Sequence, residues 1–204
     1  MTGEPDETAD LSLVECLLFR KPGIVLERFN RQETLAGRTP DFKVMRDGKL
    51  VAFCEVKSPR DDWLEEQIES APPGQLVGGP RPDPTFNRIA RHIQKSASQF
   101  NAVNADRALP NILVFVNHAD ASHWNDLYET LTGTFETESG KRIPTVRHIS
   151  EGRIGEVREH IDLYIWIDCK TSFVGLYLFN DLTSPGVIDA LCDLFGLEAS
   201  DIRR

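Results

Sequence analysis

Long apolar runs are missing from this sequence of 204 residues. No stretch approaches the roughly 20 apolar residues that a membrane-spanning helix needs. The first residues, MTGEPDETAD, also lack the basic start and apolar centre of a secretion signal. Because 40% hydrophobic residues suit one ordinary core, we expect a single domain over residues 1–204 in a soluble, cytoplasmic protein.

Closely spaced cysteines are missing as well. The four cysteines, Cys16, Cys54, Cys169 and Cys192, are far apart and form no CxxC pair. A structural zinc site is usually built from two close pairs of cysteine or histidine, so this spacing argues against zinc. Disulfides are rare in the cytosol, and we therefore expect buried free thiols.

An excess of positive charge is also absent, since the formal net charge is −9. This lowers the expectation of nucleic-acid binding, because contacts with phosphates are largely electrostatic. Nine of the 32 acidic residues, however, lie in the first ten residues and in the segment DDWLEEQIES, whereas the stretch from Arg88 to Lys95 is basic. The net charge therefore weakens a nucleic-acid function without excluding it.

Hydrophobic periodicity and turn residues predict an α/β fold. A short helix is expected from Leu11 to Phe19, with Asp10 as its N-cap. The predicted strands and helices that follow are strands 24–30, 41–45 and 50–57, a helix at about 85–104, a buried strand 112–118, a helix 122–131, a hairpin over 161–180 and a helix 185–195. This order gives a mixed central sheet flanked by helices, with a core at about 10–118 and a C-terminal elaboration at 119–204.

The segment TPDFKVMRDGKLVAFCEVKS, residues 39–58, contains the residues that indicate chemistry. Asp41 begins one strand, and Glu55 and Lys57 end its partner across an Asp-Gly hairpin turn. Alternate strand residues share a face, so these two carboxylates and the ammonium should meet at one end of the hairpin. Hard cations such as Mg²⁺ prefer carboxylate oxygens, and they complete their shell with water and substrate phosphate. The pattern therefore predicts a metal site suited to phosphodiester hydrolysis, with Lys57 as an electrostatic group.

This segment resembles the PD-(D/E)xK, or restriction-endonuclease-like, nuclease superfamily at Pro40, Asp41, Glu55 and Lys57. The resemblance implies an αβββαβ core, which is the order predicted above for residues 10–118. It implies a Mg²⁺-dependent phosphodiesterase, with Mn²⁺ as a substitute and DNA as the expected substrate. It also implies the carbonyl of Val56 as a further metal ligand. Nucleases that cut both strands often dimerise, so either a homodimer or a partner protein that targets the nuclease is compatible with the resemblance.

The superfamily often adds an acidic residue from its first helix, and Glu15 is the candidate here. On a helical wheel it falls four residues after Leu11, inside the apolar stripe, where a carboxylate needs a partner. That partner is either the metal site or a basic neighbour, Arg20 or Lys21. Both interpretations remain open at this point.

The superfamily also often places polar residues of the helix after the ExK motif near the site. Arg88, His92, Lys95 and Gln99 form a polar stripe on that helix and are the candidate substrate contacts. A solvated helix face is the alternative interpretation of this stripe. By contrast, His118, Asp120 and His123 span a strand end and a helix start, where capping is usual, and we expect no metal there.

Simpler interpretations also exist for the motif itself. Asp41 can be a strand-entry residue beside a proline, and Glu55 with Lys57 a solvated pair on an edge strand. At the level of function, the alternative to a nuclease is a non-catalytic module of the same fold that binds nucleic acid or a protein partner. The acidic net charge favours this alternative.

Overall fold

The computed structural model describes residues 7–59, 63–77, 83–119, 122–137, 139–145, 152–155, 157–169, 173–180, 182–198 and 202–203. Its helices are α1 (Glu7–Leu18), α2 (Arg31–Ala36), α3 (Trp63–Ser70), α4 (Asp83–Val103), α5 (Trp124–Thr132) and α6 (Pro185–Phe195), with a short 3-10 helix at Arg158–His160. Its strands are β1 (Ile24–Arg28), β2 (Phe42–Arg46), β3 (Lys49–Lys57), β4 (Asn111–Asn117), β5 (Thr134–Glu136), β6 (Arg142–Pro144), β7 (Leu163–Asp168), β8 (Phe173–Phe179) and β9 (Ile202–Arg203).

In the described residues the main sheet has seven strands in the order β1-β2-β3-β4-β7-β8-β9, and β5 and β6 form a separate pair. Strands β1, β2 and β3 are antiparallel, whereas β3, β4 and β7 run parallel to one another. The predicted second hairpin is present as the antiparallel pair β7 and β8. The predicted α/β class with a mixed sheet flanked by helices is therefore confirmed.

Each face of the sheet packs against its own pair of helices. Helices α1 and α6 cover one face, where they meet alternate residues of β3 such as Ala52 and Val56. Helices α4 and α5 cover the other face, which receives Phe53. Strand β4 is buried along its whole length, as its continuous apolar sequence predicted. Successive side chains of β3 therefore point alternately toward α1 and α6 on one face of the sheet and toward α4 and α5 on the other.

Three local predictions need correction. Helix α1 begins at Glu7, so Asp10 lies inside the helix and is not its N-cap. Helix α2 was not predicted; Asn30 and Glu33 start it with reciprocal capping hydrogen bonds. All four cysteines are free, as expected, but only Cys54 is buried and Cys16 is exposed.

No helix in the described ranges has both the length and the apolar character needed to cross a membrane.

Candidate active site

The β2–β3 hairpin brings the two ends of the motif together. Asp47 and Gly48 both have positive φ, 50° and 75°, the backbone conformation of a two-residue hairpin turn. The pairing of Phe42 with Cys54 then sets the register. As a result Asp41, just before β2, lies beside the last three residues of β3.

Direct hydrogen bonds join these residues. The backbone N–H of Asp41 donates to Glu55 Oε2 at 2.9 Å, and the backbone N–H of Val56 donates to Asp41 Oδ2 at 2.8 Å. The Lys57 ammonium forms an ion pair with Glu55 Oε1. The Glu55 side chain is 0% exposed and that of Lys57 only 13%, so a solvated edge pair is the wrong interpretation of these two residues.

The burial of Glu55 has an electrostatic consequence. Burial, and then the neighbouring Asp41 carboxylate, raise the pKa of Glu55 to about 7, although the Lys57 ammonium opposes the shift. Two carboxylates with little water around them resist being ionised together. A bound divalent cation would remove this penalty, because it attracts both charged forms.

The donor set fits a hard cation. Asp41 and Glu55 offer carboxylate oxygens, and the Val56 carbonyl lies on the same strand edge as the Val56 N–H that reaches Asp41. Within the described ranges no group of three histidine, cysteine, aspartate or glutamate side chains is arranged to hold a metal. Water and substrate would therefore supply the remaining ligands, which is how Mg²⁺ is usually bound in enzymes that act on phosphates.

Helix α4 places part of its polar stripe beside this site. Burial, and then the positive charges of Lys57 and Lys95, lower the pKa of His92 to about 4, so His92 lies near Lys57 and is neutral at neutral pH. Lys95 itself is exposed. Arg88 lies half-buried near the start of the helix, and its role as a substrate contact stays a prediction.

The Gln99 side chain, predicted as a substrate contact, is directed to the backbone of the loop before Asp41. Its side-chain amide donates to the carbonyl of Thr39 at 2.8 Å, in the loop that leads to Asp41. Its Oε1 is buried and has no hydrogen-bond partner within the described part of the chain. The contact indicates that Gln99 holds the Asp41 loop against α4.

The predicted position of Glu15 is wrong. Leu11, Val14 and Leu18 are buried on α1, but Glu15 is exposed and so does not lie within the apolar stripe. The acidic residue that α1 turns toward the sheet is Asp10, which is 4% exposed. Asp10 lies four residues before Val14 on the same helix face, and this signal was hidden because the helix was expected to start after it.

Asp10 lies between the ends of two parallel strands. Its carboxylate accepts a hydrogen bond from the Ser58 hydroxyl, just after β3, and lies 2.8 Å from Nε2 of His118, just after β4. A cavity of about 190 Å³ beside it is also lined by Val56 and Lys57. The sequence predicted His118 at the end of a strand, as observed, but it did not predict this cluster.

The other residues of the discounted histidine cluster are His123 and Asp120. His123 occupies the N-cap position of α5, as expected for a helix start, and Asp120 lies outside the described residues. Among the described residues of this cluster, His118 is connected to the end of β3 through Asp10 and Ser58.

The chain matches no family model, no curated protein and no solved structure. The resemblance to the PD-(D/E)xK superfamily therefore rests on Pro40, Asp41, Glu55 and Lys57 and on the predicted order of helices and strands, and function has to be inferred from the chemistry of the site.

Proposed function

We propose that the chain is a divalent-metal-dependent nuclease that hydrolyses phosphodiester bonds, with DNA as the expected substrate. The observation that carries this proposal is the fully buried Glu55, which is held against Asp41 and bonded to Lys57. Perturbed, buried acidic groups next to a second charged group are typical of functional sites. The Asp41 carboxylate beside the buried Glu55 adds like-charge repulsion, which a bound cation would relieve.

Asp41, Glu55 and the Val56 carbonyl would hold Mg²⁺ or Mn²⁺. When bound, such an ion polarises the phosphodiester and lowers the pKa of a coordinated water. Glu55 has to release its proton to act as a metal ligand. Because its pKa is about 7, replacement of that proton by a metal ion costs little near neutral pH. Lys57 keeps a compact positive charge beside the reacting group, where it can stabilise negative charge that develops on the phosphate.

The polar side of α4 supports a substrate that carries phosphates. Lys95 lies close enough to His92 to affect its pKa, as does Lys57, and the Arg38 guanidinium donates to Ser98 Oγ at 3.2 Å. Positive charges therefore extend along α4 from the carboxylates to the Asp41 loop. A local concentration of cations can attract a polyanion even when the whole chain is acidic.

A non-catalytic binding module is the second candidate, and one observation favours it. Without metal, each acidic group of the motif already has a partner: Lys57 bonds Glu55, and the Val56 N–H bonds Asp41. Such a network can stabilise the end of the hairpin without any reaction. The two candidates differ in whether purified protein cuts nucleic acid.

Cleavage of circular DNA, both supercoiled duplex and single-stranded, tests the proposal with Mg²⁺, with Mn²⁺ and with EDTA. We expect cleavage only with metal, its loss in Asp41→Asn and Glu55→Gln, and a strong decrease in Lys57→Ala. Glu69→Gln, which changes an exposed carboxylate of α3, is the matched control and should cut like the parent. If the parent is inactive under all metal conditions, or Glu55→Gln retains full activity, the nuclease proposal is wrong.

A further inference from the structure

A cavity of about 590 Å³ lies on the same face of the sheet as Glu55. It is bounded by the first three strands, by α2, by the loop before Asp41 and by the end of α4. Its volume is in the range of sites for small molecules and cofactors. The metal site proposed above does not use it.

The cavity combines an aromatic wall with a charged rim. The rings of Phe29 and Phe53 stack with centroids 6.2 Å apart and an interplanar angle of 22°. At the rim, the ammonium of Lys43 forms an ion pair with Glu33 and lies 4.9 Å from the Phe29 ring centroid. Arg38 adds a second cation. A nucleobase has the matching chemistry, since it presents a flat π face and an edge of hydrogen-bond donors and acceptors.

The cavity is next to the proposed reacting groups. Lys43 follows Asp41 by two residues, and Phe53 precedes Glu55 by two residues on the neighbouring strand. Two residues of a strand span about 7 Å, which is on the scale of one nucleotide of an extended strand. The loop residue Thr39, two residues before Asp41, also lines the cavity.

We propose that this cavity receives the base of the nucleotide adjacent to the phosphodiester held at Asp41 and Glu55, an inference that rests on the proposed function. A base inside a duplex is paired and stacked, so it reaches such a cavity only after it leaves the stack. The preferred substrate is therefore single-stranded nucleic acid, or a duplex with an unpaired nucleotide at the cleavage position. An intact duplex is a poor substrate.

Binding of nucleic acid measured in EDTA tests the assignment of the cavity while no cleavage takes place. The affinity of the full chain for a labelled single-stranded oligodeoxynucleotide, and for the blunt duplex made from it, is measured by fluorescence anisotropy. The test variant is Phe29→Ala, because Phe29 is the half-buried ring of the wall. The control is Val25→Ala, in strand β1 just before Phe29, because Val25 is 59% exposed and does not line the cavity.

We expect the parent to bind the single strand more tightly than the duplex. Phe29→Ala should weaken single-strand binding about tenfold, because it removes one stacking ring. Its duplex binding, and the single-strand affinity of the Val25→Ala control, should not change. If Phe29→Ala fails to fold in a thermal melt, Phe29→Leu keeps the apolar volume but removes the ring, and it should show the same loss. Unchanged single-strand affinity in the folded variant, or a parent that prefers the duplex, overturns the inference.

Failure of this inference can be told apart from failure of the nuclease proposal. Metal-dependent cleavage without any effect of Phe29 on single-strand binding overturns the cavity assignment alone. Phe29-dependent binding without cleavage supports the cavity as a base-binding site and overturns the nuclease proposal. A protein that neither cuts nor binds the oligonucleotide overturns both.

Discussion

Glu55 is the residue on which the chemistry depends. Its carboxyl group has no exposed surface. Burial and the Asp41 carboxylate favour the neutral form of this group, and the Lys57 ammonium favours the charged form. The sequence predicted that these residues meet, because the hairpin turn and the two-residue period of a strand follow from local pattern. It did not predict the burial, because burial depends on α4, which is distant in sequence.

The raised pKa of Glu55 leads to a prediction for stability in EDTA. The folded protein keeps this proton up to about pH 7, whereas the unfolded chain releases it near the ordinary pKa of 4.5. The stabilising contribution is therefore complete below pH 4.5 and is lost as the pH rises through 7. We expect the free energy of unfolding of the parent to fall relative to that of Glu55→Gln over this range.

Urea unfolding of both proteins at several pH values measures this difference. The difference is needed because His92 acts in the opposite direction: its pKa is lowered to about 4, so the stability that it contributes is lost as the pH falls. His92 is present in both proteins and cancels to first order. Parallel curves for the parent and Glu55→Gln would show that Glu55 titrates as an ordinary exposed carboxyl group.

Asp10 and Glu15 give a second prediction at the residue scale. Asp10→Ala removes the acceptor for Ser58 and the partner of His118 in a buried position, so it should lower the free energy of unfolding by about 1–3 kcal/mol. Glu15→Ala, on the exposed side of the same helix, should change it by less than about 0.5 kcal/mol. Denaturant titration compares the two, and equal effects would contradict the assignment of the two helix faces.

Single elements show which sequence signals are sufficient for prediction. The β2–β3 hairpin and the buried strand β4 were predicted, because Asp47-Gly48 and a continuous apolar run are local signals. The start of α1 was misplaced, because its first turn is polar and carries no apolar period. Helix α2 was missed because it is short and has no buried residues; its capping hydrogen bonds at Asn30 start it.

Helix α4 holds the Asp41 loop through the hydrogen bond from the Gln99 side chain to the Thr39 carbonyl. Gln99→Met keeps the side-chain length and helix propensity but removes this bond. We expect the Asp41 loop to shift, with Mn²⁺ affinity and cleavage each reduced by about tenfold or more, and with little change in the melting temperature.

The matched control is Gln94→Met, an exposed position of the same helix, which should behave like the parent. Mn²⁺ affinity separates the possible roles of Gln99. A direct substrate contact would reduce cleavage and leave metal binding unchanged, and that outcome would contradict the positioning role assigned to Gln99.

The whole molecule has a net charge of −9, but this value does not describe the charge around the candidate active site. Lys57, Lys95 and Arg38 lie on the side of the sheet that faces α4, near the carboxylates. The location of charges, and contacts such as Asp10 with His118 across 108 residues, arise only when the chain folds. Composition and local periodicity therefore predict the class of fold and the motif, but not the surroundings of the motif.

Calorimetric titration of Mn²⁺ into the full chain tests the central claim that Asp41 and the buried Glu55 together form a cation site. We predict that the parent and Glu69→Gln bind Mn²⁺ with release of a proton below pH 7, because Glu55 has to ionise. Glu55→Gln should bind more than about tenfold more weakly. If the parent binds no Mn²⁺, or Glu55→Gln binds it as tightly as the parent, the pair is not a cation site and the nuclease proposal fails.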